Sequence, residues 1–190
     1  MLDDTERPCL IVRPKEPRET DKAVLYICGY VRTMLKAGVL YTTSERHEGF
    51  TSFNICKNDG TDERKKLSDY IPLLKGVFTS MSLRQIFKTM KVLTSGGKGL
   101  HDEYHKQKKS HIYVGMVVVT EAFQRQGYMR KVMELSYSEG QRLGILVILE
   151  TDAKSKCDKY VYLGMKAAKE RKLSDDSMLY DLICEPEVHQ

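Results

Sequence analysis

Residues 117 to 129 read Val-Val-Val-Thr-Glu-Ala-Phe-Gln-Arg-Gln-Gly-Tyr-Met, and the rest of the architecture can be worked out from this run. An apolar strand gives way to a short polar turn with one glycine, and a helix follows at once. At such a junction the first N–H groups of the helix have no intrahelical acceptor, and the helix dipole favours negative charge. The junction is an anion trap, and a pyrophosphate is its natural guest. Gly127 has a physical reason to stand there, because backbone without a Cβ can approach a phosphate closely.

The elements around the run agree with it. Ile112 to Val119 is apolar on both faces and reads as a buried central strand. Gln126 to Leu143 reads as a helix with Met129, Val132, Met133, Ser136, Tyr137 and Gly140 on one side, ended by Gly144. Ile145 to Leu149 is a second apolar strand, so the region forms a β-α-β unit. A further helix is expected over Lys156 to Leu163, and Met178 to Cys184 reads as the last strand.

Upstream, a helix is expected to run to Lys36 from a cap at Thr20 or Asp21, with Gly38 as its stop. Val39 to Ser44 and Phe50 to Ile55 read as a hairpin. Cys9 to Val12, between two prolines, reads as a short edge strand. Residues 67 to 93 suggest two short helices. The first, Leu67 to Leu74, should be irregular at Pro72. The second opens on the capping box Ser82-Leu83-Arg84-Gln85. Leu100 to Lys109 reads as a polar helix.

Length and composition bound the classes. A chain of 190 residues suffices for one domain with a sizeable core. No apolar run approaches the roughly 18 to 20 residues that cross a membrane, so no membrane partner is expected. The acidic start, Met1-Leu2-Asp3-Asp4, is unlike a secretory leader, and a cytoplasmic protein is the expectation. Five scattered cysteines without a C-x-x-C point to reduced thiols rather than a zinc ribbon. The net charge of +5 suits a nucleotide cofactor. The one dense basic run, Lys106-Gln107-Lys108-Lys109, has no aromatic interleaving, so no nucleic-acid partner is expected.

Gln124-Arg125-Gln126-Gly127-Tyr128-Met129 resembles the Q/R-x-x-G-x-G/A signature of the GNAT acyl-CoA N-acyltransferases. Leu149-Glu150-Thr151 followed by Tyr160-Val161-Tyr162-Leu163-Gly164-Met165 resembles the family's "LET…FYExxGF" segment, most like that of puromycin-type small-molecule acetyltransferases. The likeness covers residues 112 to 165 well and 39 to 55 loosely. It departs at Met129, where the family has Gly or Ala. It departs again over residues 152 to 159, where Ala153 and Lys156 replace cofactor-contacting asparagines.

The resemblance implies an α/β GNAT fold. It implies that the whole chain forms a single domain, with a mixed central sheet whose two parallel strands splay apart and a helical insertion at about residues 65 to 110. It implies acetyl-CoA as cosubstrate and a small-molecule amine as acceptor. Val117, Val118 and Val119 would hold the pantetheine arm. Gln124, Arg125, Gln126, Gly127, Tyr128 and Met129 would receive the pyrophosphate, with Arg130 and Lys156 adding charge. It makes Met165 to Lys172 a strand, although Met-Lys-Ala-Ala-Lys-Glu-Arg-Lys has helical propensity. It also allows a homodimer.

Tyr160 aligns with the family's tyrosine near the thioester sulfur, where a phenol can protonate a departing thiolate. An ammonium cannot attack, so a base or a water must take its proton. Glu150 and Glu121, at strand ends, are the leading candidates, with His111 and Glu48 behind them. Cys157 has no activating base in the sequence and reads as inert. His101 and His105 share a helix face at ligand spacing, but the sequence around them is not H-E-x-x-H, and no metal is expected. Two alternatives are a CoA-binding module without turnover and a metal-binding protein built on His101, His105 and His111.

Overall fold

A computed structural model describes residues 19–59 and 66–186. The edge strand expected over Cys9 to Val12 lies outside them. The order of elements is α1 (Glu19–Lys36), β1 (Leu40–Thr42), β2 (Gly49–Cys56), α2 (Ile71–Ser80), α3 (Leu83–Ser95), α4 (Leu100–Lys106), β3 (His111–Val119), α5 (Tyr128–Leu143), β4 (Val147–Thr151), α6 (Lys154–Tyr162), β5 (Lys166–Lys172) and β6 (Met178–Cys184). One six-stranded sheet runs β1-β2-β3-β4-β6-β5. Among the described residues, only β3 and β4 pair in parallel. This is the mixed sheet that the sequence led us to expect.

The two faces of the sheet differ in chemistry. One is apolar: Phe53, Ile112, Val114, Val147, Leu149 and Leu182 pack with Met133 of α5 and with Cys157 and Tyr160 of α6. Ile112 and Leu182 are fully buried there. The strand β5 forms in spite of its helical propensity because β6 supplies a ladder of antiparallel partners from Ile183 to Met178. Sheet pairing decides a segment that local preference leaves open.

The insertion between β2 and β3 covers part of the other face. Pro72 does not break a helix. It sits in the first turn of α2, after a short 3-10 turn over Leu67–Tyr70, where a missing N–H costs nothing. The start of α2 is capped by its neighbour: the Leu73 N–H donates to Thr33 Oγ1 of α1 at 3.0 Å. Thr33 is fully buried. The helices also touch closely, since a Cβ on Gly29 would stand 2.7 Å from the Pro72 carbonyl oxygen. The capping box at Ser82 forms, with Gln85 N–H donating to Ser82 Oγ and Ser82 N–H donating to Gln85 Oε1. No described helix is long and apolar enough to cross a membrane.

Thr33→Val keeps the shape of the side chain and strands the Leu73 N–H, so it should destabilise the fold by about 1 to 3 kcal/mol. Thr33→Ser should cost much less. Equal losses in denaturant melts would show that the hydroxyl is not the cap.

Candidate cofactor cleft and acceptor face

The pairing of β3 with β4 covers only Ile112–Val147, Tyr113–Ile148 and Val114–Leu149. Beyond that point β3 continues to Val119 along β2, and β4 continues to Thr151 along β6. The two strands therefore part. The register gives the reason: Phe53 faces Val114 and Ser52 faces Met116, so Gly115 is an extra residue on β3. A bulge bends its strand and sharpens the local twist. At Gly115 a side chain has no room on one side, since a Cβ would meet the Tyr30 hydroxyl at 2.3 Å.

The gap opens into a cleft of about 710 Å³. One wall is Val117, Val118 and Val119. The floor is the β3–α5 turn with Gln124, Arg125, Gly127, Tyr128 and Met129. The far wall is Lys156, Lys159 and Tyr160 of α6. Three cations and no carboxylate line it, which suits an anionic guest.

Gly127 occupies the N-cap of α5 with φ +80, and no side chain caps the helix. Its left-handed backbone is one that glycine adopts without penalty. Arg125 is left-handed as well, at φ 64. The Gln124 amide donates to the Val119 carbonyl at 3.3 Å and ties the turn back to the strand. Lys156 reaches Asp152 at 2.7 Å while still lining the cleft.

Tyr160 lies on the cleft wall and is only 8% exposed. Burial pushes its phenol up to about 12. It stays protonated at any physiological pH, so it can give up a proton but does not take one. Its neighbour Tyr162 is 81% exposed, with the Arg130 guanidinium 5.8 Å over its ring.

The structure does not bring every residue singled out in the sequence to this cleft. Arg130 is engaged with Tyr162, and Gln126 turns its amide to the Ala122 carbonyl at 2.9 Å. Glu121 opens a short 3-10 turn over Glu121–Phe123 and does not line the cleft. Cys157 is buried beneath α6, and burial raises its thiol pKa, which fits an inert thiol. Glu48 is held in the β1–β2 turn, its Oε2 accepting from Ser44 Oγ at 2.6 Å and Thr43 Oγ1 at 2.9 Å. These hydroxyls, Ser44 foremost, hold its pKa below the usual glutamate value and make it a poor base.

Glu150 stands on the opposite, polar face of the sheet. There the Arg171 guanidinium bonds both Glu150 and Asp181, with Nε 3.0 Å from Asp181 Oδ2. Arg171 and Asp181 are buried, while the Glu150 side chain keeps 33% exposure. Burial raises the Glu150 pKa, opposed by Arg171 and assisted by the nearby Asp181. Two carboxylates share one cation, so the cluster carries a surplus of negative charge.

Next to it, His101 of α4 stacks on Tyr113 at 4.1 Å between ring centroids. His111 is fully buried, with Nδ1 2.8 Å from the Lys109 carbonyl oxygen. That carbonyl can only accept, so Nδ1 carries the proton. Nε2 lies 2.9 Å from His101 Nδ1. The trio whose ligand atoms gather within 4.8 Å is Cys56, His101 and His111. His105 is not part of it, so the set imagined from the sequence, with His105, is not the one that assembles.

The sequence reading passed over Gly115, Tyr30 and Ser52. Tyr30 and Ser52 hydroxyls lie 3.1 Å apart at the bulge. A glycine inside a run of strand formers was the available signal, since such a glycine marks a bulge or a close approach.

Neither a protein-family model nor a curated protein sequence matches the chain. Solved structures do. Arylalkylamine N-acetyltransferase 2 from Aedes aegypti superposes with a TM-score of 0.51 at 14% identity, covering 82% of this chain and 76% of that one. The Drosophila melanogaster polyamine N-acetyltransferase gives 0.49 at 12% identity, over 91% and 84%. The ribosomal-protein-S18-alanine N-acetyltransferase from Escherichia coli gives 0.37 at 20% identity, over 42% and 57%. The match thus spans little more than half the length of the last protein. The chain has the GNAT fold.

A carboxyl with a depressed pKa stabilises the fold above its unfolded value, and that contribution fades as pH falls through the folded value. The gap in melting temperature between wild type and Glu48→Gln should therefore stay constant above the ordinary glutamate range and shrink as the pH falls below it. A gap that widens on acidification would contradict the hydrogen-bonded turn.

Proposed function

We propose that this chain is an acetyl-CoA-dependent N-acetyltransferase whose acceptor is the primary amine of a small molecule. The observation that carries the proposal is the cleft itself: two parallel strands parted by a bulge, opening onto an uncapped helix N-terminus among Arg125, Lys156 and Lys159. Bound acetyl-CoA supplies an activated acyl group. The residues fit it: the β4-facing edge of Val117 to Val119 has no strand partner beyond Val114 and suits a pantetheine amide. The first N–H groups of α5 suit a pyrophosphate.

The chain's own residues then have defined tasks. A backbone N–H at the bulge could polarise a thioester carbonyl. Tyr160 holds a proton on the cleft wall for a departing thiolate. The acceptor comes from the polar face, where the surplus charge of Glu150 and Asp181 favours a cation. Asn54 lies opposite Tyr113 on β2, and its buried Oδ1 finds no donor among the described residues. An amine N–H would satisfy it. Glu150, with its raised pKa and partial exposure, suits the acceptance of the ammonium proton, directly or through water.

A second proposal, a CoA-binding module without turnover, is favoured by one observation: Met129 lines the cleft where a bare backbone would be expected.

Calorimetry with acetyl-CoA should show one-to-one binding, and thiol release with an amine panel should show turnover. Tyr160→Phe should lower kcat about 100-fold with little change in KM. Binding with no turnover for any amine would favour the second proposal. Absence of binding would overturn both.

A further inference from the structure

Helix α3 is at odds with ordinary packing. Leu83, Phe87, Met90 and Leu93 recur at helical spacing, yet they are 63%, 74%, 55% and 46% exposed. No residue of the helix is buried. An amphipathic helix normally turns such a stripe to the core. Preceding it, α2 leaves Ile71, Leu74 and Phe78 about half exposed as well. The helix is nonetheless fixed at both ends. Ser82 and Gln85 close its first turn, and the Ser174 N–H from the β5–β6 turn donates to Ser95 Oγ at 2.8 Å.

Charge singles out the same segment. Between Asp69 and Asp102 the chain has no acidic residue and five basic ones: Lys75, Arg84, Lys88, Lys91 and Lys98. Arg84, Lys88 and Lys91 recur at i, i+4 and i+7, on the arc adjoining the apolar stripe. Continuous bare aliphatic and aromatic side chains edged by cations alone form the pattern of a helix that lies in a lipid interface.

We propose that α3, with the exposed stripe of α2, seats this protein on an anionic lipid surface as a peripheral contact. Leu83, Phe87 and Met90 would enter the boundary between headgroups and acyl chains, and Arg84, Lys88 and Lys91 would meet the anionic headgroups. A second copy of the chain is a poor occupant, because a two-fold contact would bring the same cations face to face. The proposal is independent of acetyl transfer.

The test is co-sedimentation of the whole protein with phosphatidylcholine vesicles, with and without phosphatidylserine, at low and high salt. Partitioning should be at least about tenfold stronger on the anionic vesicles and should collapse at high salt. The double variants Leu83→Ser/Phe87→Ser and Lys88→Glu/Lys91→Glu should each abolish it. All four residues are exposed, so melting curves and thiol release should be unchanged. Equal binding to neutral vesicles, no binding, or binding indifferent to both variants would overturn the proposal. So would a concentration-dependent dimer in sedimentation velocity that Phe87→Ser dissolves, since that would mark a face for protein.

Discussion

The pairing of β3 with β4 stops after three residue pairs, and the rest of the molecule is arranged around that stop. Hydrogen-bonded strands keep a fixed spacing, so a bound chain can lie between them only if the ladder is interrupted. The extra residue at Gly115 interrupts it without unfolding either strand, because β2 and β6 continue to pair the parted ends. Free backbone groups in the gap would be a liability in an ordinary core. Here they are the means by which an amide-rich guest can be held.

The same interruption divides the chemistry. On the α5–α6 side the sheet is apolar, so Tyr160 is desolvated and remains a donor. On the other side Arg171 is buried with Asp181 and tied to Glu150, an arrangement that tolerates loss of no partner. The two sides meet at the bulge, where the Tyr30 and Ser52 hydroxyls lie together. The cleft and the polar cluster can thus be approached from opposite faces of the sheet. Of the inserted helices, α4 reaches the polar face, where His101 stacks on Tyr113.

The junction of β3 with α5 was legible in the sequence because its requirements are local. A strand of β-formers, a turn and a single glycine before a helix announce an anion site within thirteen residues. The β5 strand was legible only through the family likeness, since Ala167, Ala168 and Lys169 carry no β signal of their own. The polar face of the sheet was hidden for a different reason. His101 and His111 meet across a turn, Arg171 reaches back to Glu150, and Tyr30 arrives from α1, so contacts distant in sequence make the site. Glu48 and Glu121 were plausible bases by position alone. The hydroxyls around Glu48, and the placement of Glu121 away from the cleft wall, are facts of tertiary structure.

Hydrogen exchange at single-amide resolution, with and without coenzyme A, tests the central claim most directly. The account predicts new protection at the amides of Gly115 to Val119 and of Gly127 to Arg130, with the β1–β2 hairpin unchanged. Protection elsewhere, with those two segments exchanging as in the free protein, would contradict it.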